Sequence, residues 1–99
     1  MITVKVSTDK ISIIGHANYA DYGKDIVCAA VSSVVITSVE GISILDENAI
    51  ELIQEAGNIT INIIRHSQIT DKLVTNMINC LKEIENKYPK NIKIINREE

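Results

Sequence analysis

The sequence GHANYADYGKDIVCAAVS, at residues 15–32, joins a β-rich beginning of the chain to its longest apolar segment. Its character changes from polar to apolar at Asp25, and Asp is a favoured residue at the N-cap of a helix. The change predicts a loop over residues 17–24 and a helix that begins after Asp25. Cys28 would then lie in the first turn of that helix.

The residues before this segment predict a β-hairpin. Residues 1–7 alternate apolar and polar side chains, which is the pattern of a half-buried strand. Residues 11–15 are rich in β-branched side chains and predict a second strand. Because only residues 8–10 connect the two strands, we expect them to pair as a hairpin. This arrangement puts His16 at the end of the second strand.

The residues after this segment predict a long first helix, over residues 26–45. The segment is apolar on nearly all sides, so we expect the helix to be deeply buried. Residues 34–36 alone fit a strand equally well. The length of the whole segment favours a helix, because buried strands rarely exceed about ten residues.

The next segment predicts a second hairpin. Residues 49–55 fit either a short helix or a strand, whereas residues 59–65 alternate clearly as a strand. The dipeptide Gly57-Asn58 between them is a turn signal. A tight turn at this place favours the strand for residues 49–55, paired with the strand that follows.

The rest of the chain completes the predicted fold. A second helix is capped by Ser67 or Thr70 and ended by Pro89. Residues 91–96 predict a last short strand, and residues 97–99 a frayed tail. The element order is ββαββαβ in a single domain of residues 1–99. We therefore predict an α+β fold, in which two helices cover one face of a mainly antiparallel sheet.

Composition excludes several classes of function. A net charge of −3, with three Tyr and no Trp or Phe, argues against a nucleic-acid-binding surface. No apolar run approaches the roughly 18 residues that span a bilayer, and no signal peptide pattern is present. We therefore expect a cytoplasmic protein without membrane contact. Its two cysteines are expected as thiols, and the scattered Cys and His predict no metal site and no cofactor.

Cys28 and His16 are the candidate reactive pair. In the first turn of a helix, unpaired backbone amides stabilise a nearby thiolate. A thiolate beside an imidazole is the basic unit of nucleophilic cysteine catalysis. His16 lies twelve residues before Cys28 in the sequence, across a loop that can fold back. The alternative is that Cys28 is a small side chain packed inside an apolar helix.

Two neighbouring residues have a structural and a functional interpretation each. Asp25 either caps the helix or orients His16. Ser32 follows Cys28 by one helical turn on the same face, so its hydroxyl bonds near the thiol or to its own helix backbone. The sequence leaves both alternatives open. His66, by contrast, is expected on a surface loop.

The segment as a whole resembles the signature of the ribosomal-processing cysteine protease family, small bacterial proteins also known as the Prp peptidases. The matching residues are Gly15-His16-Ala17, Tyr19, Gly23 and all of residues 25–32. The resemblance covers residues 15–32, and the length of the chain and its element order agree with it.

The resemblance implies a function that composition does not show. Members of the family remove a short N-terminal extension from the twenty-seventh protein of the large ribosomal subunit. They cleave after a hydrophobic sequence that ends in Phe, and they are homodimers. For this chain the resemblance implies Cys28 as the nucleophile and His16 as the general base, supported by Asp25, Gly15 and Ser32.

The predicted loop has a role in this hypothesis. We expect it to close over the bound peptide as a lid, with Tyr19, Tyr22 and Gly23 as its substrate-binding residues. Backbone amides near the start of the helix would stabilise the oxyanion. Gly15, which lacks a side chain, would let the substrate backbone approach closely.

Two other classes of function stay open. One is a non-enzymatic dimeric protein that binds a ribosomal protein or its precursor, with Cys28 merely packed. The other is a redox-active thiol protein, which would need a resolving cysteine. Cys80 is the only candidate for that role, and we expect it in the core.

Overall fold

The computed structural model of the chain describes residues 1–15 and 22–96, with the side chains of residues 22–25 excepted. This part of the chain contains five strands and two helices in the predicted order ββαββαβ. The strands are β1 (Ile2–Val6), β2 (Lys10–Ile14), β3 (Ile50–Glu55), β4 (Asn58–Ile63) and β5 (Ile92–Asn96). The helices are α1 (Tyr22–Leu45) and α2 (Gln68–Lys87).

The strands form one mixed, mostly antiparallel sheet in the order β3-β4-β2-β1-β5. β1 pairs with β2, β2 with β4 and β3 with β4, all in antiparallel register. Only β5 runs parallel to its neighbour β1 among the described strands. The predicted α+β fold is confirmed, and so is the choice of a strand for the segment that ends at Glu55.

Alternation along the strands gives the sheet one apolar face. Val4 pairs with Ile13, and Ile11 pairs with Ile61. Residues directly opposite each other share a face of the sheet, and all four of these side chains are buried. Both helices contribute to the same core, through Val27, Val31, Val35, Val39 and Ile42 of α1 and Val74, Met77 and Leu81 of α2. The two helices therefore cover one face of the sheet.

Helix α1 is less buried than its composition predicts. Its buried residues form a single stripe at intervals of three or four positions, while Ile26 and Ile44 are 53% and 83% exposed. The prediction of a deeply buried helix is wrong, because one sheet and one neighbouring helix cover only part of its circumference. Its apolar outer side is left exposed in a single chain.

The length and composition of α1 also correct the expectation about membrane-spanning segments. Residues 26–45 are long and apolar enough to cross a membrane, with a mean hydropathy of 1.8. The expectation that no apolar run approaches this length is therefore wrong. The buried stripe of α1 packs on the sheet, as the core helix of a folded domain does.

Helix α1 begins at Tyr22, earlier than predicted. Asp25 therefore lies inside the helix and not at its N-cap, and Gly23 belongs to the helix and not to the loop. Cys28 is the seventh residue of the helix, in its second turn. The earlier start has a simple physical reason. Each residue that extends an existing helix adds one hydrogen bond, and no proline precedes Asp25 to stop the extension.

Ser67 is the N-cap of α2, as one of the two alternatives predicted. Its hydroxyl oxygen accepts a hydrogen bond from the Thr70 amide at 3.1 Å. The Asp46 carboxylate, just after α1, accepts hydrogen bonds from the hydroxyls of Ser67 at 2.6 Å and Thr70 at 2.8 Å. These two bonds, and a third from Arg65, lower the pKa of Asp46 to about 2. The network joins the end of α1 to the start of α2.

Gly15 occupies a position that excludes a side chain. Its φ is +87°, and an added Cβ would lie 2.7 Å from the carbonyl oxygen of Met1. Its amide donates a hydrogen bond to the carbonyl of Gly57 at 2.9 Å. The fold therefore requires glycine at this position, whether or not a substrate backbone also approaches it.

We expect the Gly15→Ala substitution to lower the free energy of unfolding by about 1–3 kcal/mol, because it combines an unfavourable φ with a backbone clash. Denaturant unfolding measures the change. The matched control is Gly41→Ala in α1, where an added Cβ meets nothing within 4 Å. Alanine should stabilise that helical position by about 0.5–1 kcal/mol. Equal losses in the two variants would contradict the explanation.

Candidate active site

A cleft of about 230 Å³ lies between α1 and one end of the sheet. Its floor is apolar and consists of Ile2, Ile13, Val31 and Ile59, contributed by β1, β2, α1 and β4. Three of these four side chains belong to the buried core, so the floor is held in place by the packing of the whole fold. Such a floor suits an apolar side chain of a ligand.

Polar groups surround this floor. Cys28 and Ser32 line the cleft from α1, one turn apart, as the helical spacing predicts. Gln54, Glu55 and Asn58 line it from the β3–β4 hairpin. The Cys28 side chain is half-buried and packs against the core. The cleft therefore combines a thiol with hydrogen-bonding groups beside an apolar surface.

The structure brings three of the predicted site residues together, since Gly15, Cys28 and Ser32 all line the cleft. His16 and Tyr19 lie outside the described residues. The helical backbone of Asp25, Tyr22 and Gly23 is described, but their side chains are not. The roles predicted for these residues stay predictions.

The position of Cys28 in the helix changes the expected source of electrostatic support. In an α-helix the amide of a residue in the second turn bonds to the carbonyl four residues earlier. The unpaired amides of α1 belong to its first turn, which precedes Cys28. Helix-dipole effects fall off beyond that turn. Electrostatic support for the Cys28 thiol is therefore expected from groups other than these amides.

The hairpin residues of the cleft were missed by the sequence analysis. Gln54, Glu55 and Asn58 are more than twenty positions from Cys28, and no motif in the sequence connects them with it. They reach the cleft because β4 pairs with β2, which puts the start of β4 beside the end of β2. Only the order of the strands carries this information.

A second polar cluster, centred on His66, lies at the opposite end of the sheet, where β2 begins and β4 ends. The two ring nitrogens of His66 lie 2.6 Å from a carboxylate oxygen of Asp9 and 2.7 Å from one of Asp71. Carboxylates only accept hydrogen bonds, so both bonds form together only when both ring nitrogens carry a proton. The bond to Asp9, and then the bond to Asp71, raises the pKa of His66. The residue is on the surface, as predicted.

This cluster predicts a pH dependence of stability. Because the pKa of His66 is raised above 6.5 on folding, its contribution is fully present below pH 6.5 and is lost as the pH rises through the raised value. We expect the free energy of unfolding of the wild type to fall over that range relative to the His66→Gln variant. Denaturant unfolding from about pH 5 to 8 measures the difference. Parallel curves for the two proteins would contradict the assignment.

Within residues 1–15 and 22–96, no group of three or more His, Cys, Asp or Glu side chains is arranged to hold a metal ion.

Comparisons with known proteins concern nearly the whole chain. The family model described as cysteine protease Prp matches residues 1–93. The ribosomal processing cysteine protease Prp of Mycoplasma pneumoniae is 35% identical over 92 residues, which are 90% of this chain and 88% of that protein.

Two crystal structures of an essential ribosomal processing protease Prp from S. aureus have the same fold. The complex with a substrate peptide superposes with a TM-score of 0.91 at 26% identity, over 98% of this chain and 100% of that one. The complex with a covalently linked product peptide gives a TM-score of 0.88 at 27% identity, over the same shares of 98% and 100%.

Proposed function

This chain belongs to the Prp family of ribosomal processing cysteine proteases, and from this premise we propose that Cys28 is its nucleophile and His16 its general base. The observation that carries the proposal is the place of Cys28, half-buried in a cleft with an apolar floor. Gly15, which directly precedes His16 in the sequence, lines the same cleft. The covalently linked product peptide of the S. aureus relative supports a covalent mechanism.

The proposed reaction has two halves. In the first, the Cys28 sulfur attacks the carbonyl carbon of the peptide, while His16 accepts the thiol proton. The tetrahedral intermediate collapses to a thioester as the C–N bond breaks, and His16 gives its proton to the leaving amine. In the second, His16 takes a proton from water, which attacks the thioester. The C–S bond then breaks, and the proton returns to the Cys28 sulfur.

The proposed substrate is the N-terminal extension of the twenty-seventh protein of the large ribosomal subunit, cleaved after Phe. The apolar floor of the cleft supports it, because the floor suits a large hydrophobic side chain next to the cleaved bond. In this proposal Asp25, Gly15 and Ser32 support the site. Tyr19 and Tyr22, together with Gly23, contact the peptide.

We further propose that the protein acts as a homodimer. The apolar outer side of α1 supports this, because Ile26 and Ile44 are exposed in the single chain. An apolar surface left uncovered on a single chain is a candidate surface for binding another protein. Sedimentation of the purified protein would measure the oligomeric state.

Differential labelling of the two cysteines tests the nucleophile. The expectation that Cys80 lies in the core is wrong, because it is half-buried in a groove between α1 and α2. Cys28 is half-buried as well. We expect iodoacetamide to label Cys28 about tenfold or more faster than Cys80 at neutral pH, because a thiol activated by an adjacent base is the stronger nucleophile. Mass spectrometry of the labelled peptides gives both rates. Equal, slow labelling would favour a binding protein without protease activity.

A further inference from the structure

We propose that Gln54 is a further catalytic residue, whose side-chain amide donates a hydrogen bond to the oxyanion that forms when Cys28 attacks the peptide. This inference rests on the proposed protease function and adds a residue to it. It follows from two observations, the position of Cys28 in α1 and the arrangement of the hairpin that forms the opposite side of the cleft.

The first observation creates the need for a donor. An acyl-transfer site stabilises the oxyanion with preorganised N–H or O–H groups, and these usually supply the largest single catalytic effect. Cys28 lies in the second turn of α1, so its own amide is engaged in the helix. The unpaired amides of α1 lie in the preceding turn. A side chain on the opposite side of the cleft can supply such a donor.

Gln54 differs from the other hairpin residues of the cleft in the face of the sheet on which it lies. Gln54 pairs with Ile59, and Ile59 pairs with Ile13, so the three share one face of the sheet. That face carries α1, and both isoleucines belong to the floor of the cleft. Glu55 and its partner Asn58 also line the cleft, but they alternate with Gln54 in the pleat, so their side chains belong to the face of the sheet opposite α1.

The chemistry of the side chain fits the role. A carboxamide offers two N–H donors and carries no charge, so it does not oppose the formation of a thiolate. Glu55, when ionised, has no proton to donate. In the part of the chain that the structure describes, the Gln54 side chain makes no hydrogen bond to another residue, and the residue is exposed and lines the cleft. It can therefore meet a substrate oxygen without breaking an existing bond.

As the bond between the Cys28 sulfur and the carbonyl carbon forms, the π electron pair of the carbonyl moves to its oxygen. Gln54 donates a hydrogen bond to that oxygen and keeps its own proton. When the intermediate collapses, the electron pair returns to the C–O bond and the amine leaves with the proton from His16.

The test measures cleavage of an extension peptide by the Gln54→Ala and Gln54→Glu variants. We expect kcat to fall about 100-fold in both, with little change in KM, because the bond strengthens only in the transition state. A peptide aldehyde that ends in Phe forms a tetrahedral adduct with the thiol. Its inhibition constant should rise in parallel with the loss of kcat, while the affinity for the product peptide stays close to that of the wild type.

The matched control is Gln68→Ala. Gln68 is an exposed glutamine at the start of α2, at the other end of the sheet from the cleft, and its replacement should leave kcat unchanged. Thermal unfolding of each variant verifies that it is folded. A purely structural role for Gln54 would lower the unfolding temperature and weaken product binding without a selective effect on the aldehyde, which would overturn the proposal.

Two further outcomes separate this inference from the function on which it rests. An active wild type together with an equally active Gln54→Ala variant would overturn the role of Gln54 alone. A wild type that neither cleaves the peptide nor binds the aldehyde would overturn the protease function, and the role of Gln54 with it.

Discussion

The Cys28→Ala variant should cleave an extension-bearing peptide at least about 10⁴-fold more slowly than the wild type, because removal of the proposed nucleophile abolishes the covalent route. Ser32, one turn later on the same face, cannot replace it, since an unactivated hydroxyl is a much weaker nucleophile than a thiolate. Chromatography of the products with time gives kcat/KM for both proteins.

The matched control for this variant is Cys80→Ala. Cys80 has the same class of exposure as Cys28 but lies in the groove between the helices, away from the cleft. We expect this variant to retain wild-type activity. Comparable activity in the Cys28→Ala variant, or a comparable loss in Cys80→Ala, would show that the assignment of the nucleophile is wrong.

The His16→Ala variant should lose about 10²- to 10⁴-fold in kcat/KM, the range that a general acid–base residue contributes. It should also lose the limb of the pH–rate profile that reports the titration of the imidazole. Since the two residues act as a unit in the proposed mechanism, the double variant with Cys28→Ala should be no slower than Cys28→Ala alone.

The chain offers a natural control, because its only other histidine is His66. His66 lies between Asp9 and Asp71 at the end of the sheet opposite the cleft, so the His66→Gln variant should keep the wild-type pH–rate profile. An unchanged pH–rate profile in His16→Ala, or an altered one in His66→Gln, would show that the assignment of His16 as the general base is wrong.

Local patterns in the sequence predicted most of the fold. Alternation in β1 and β4 and the cap at Ser67 are properties of neighbouring residues, and the structure confirms each of them. The start of α1 was placed too late. A residue that is favoured at an N-cap, such as Asp25, does not by itself decide where a helix begins. The helix extends through it wherever extension adds hydrogen bonds.

Properties that depend on tertiary packing could not be predicted from the sequence. The apolar composition of α1 did not reveal that only one stripe of it meets the sheet, because the number of neighbours is set by the fold. Cys80 was expected in the core for the same reason, and it lies at a groove instead.

The candidate site likewise contains residues that the local sequence predicts and residues that only the fold brings to it. Gly15, Cys28 and Ser32 were found from the segment of residues 15–32, because they are close in sequence. Gln54 was not found, because the pairing of β4 with β2 alone brings its hairpin to the cleft. The resemblance of the segment identified the family, and the strand order identified the opposite side of the cleft.

The most direct test of the proposed function uses the ribosomal protein itself. The twenty-seventh protein of the large subunit, purified with its N-terminal extension, is incubated with this protein, and its intact mass is measured over time. We expect one new mass, which corresponds to a cut after the Phe that ends the extension, and no such product with the Cys28→Ala variant. An unchanged mass, or the same product from both proteins, would contradict the proposal.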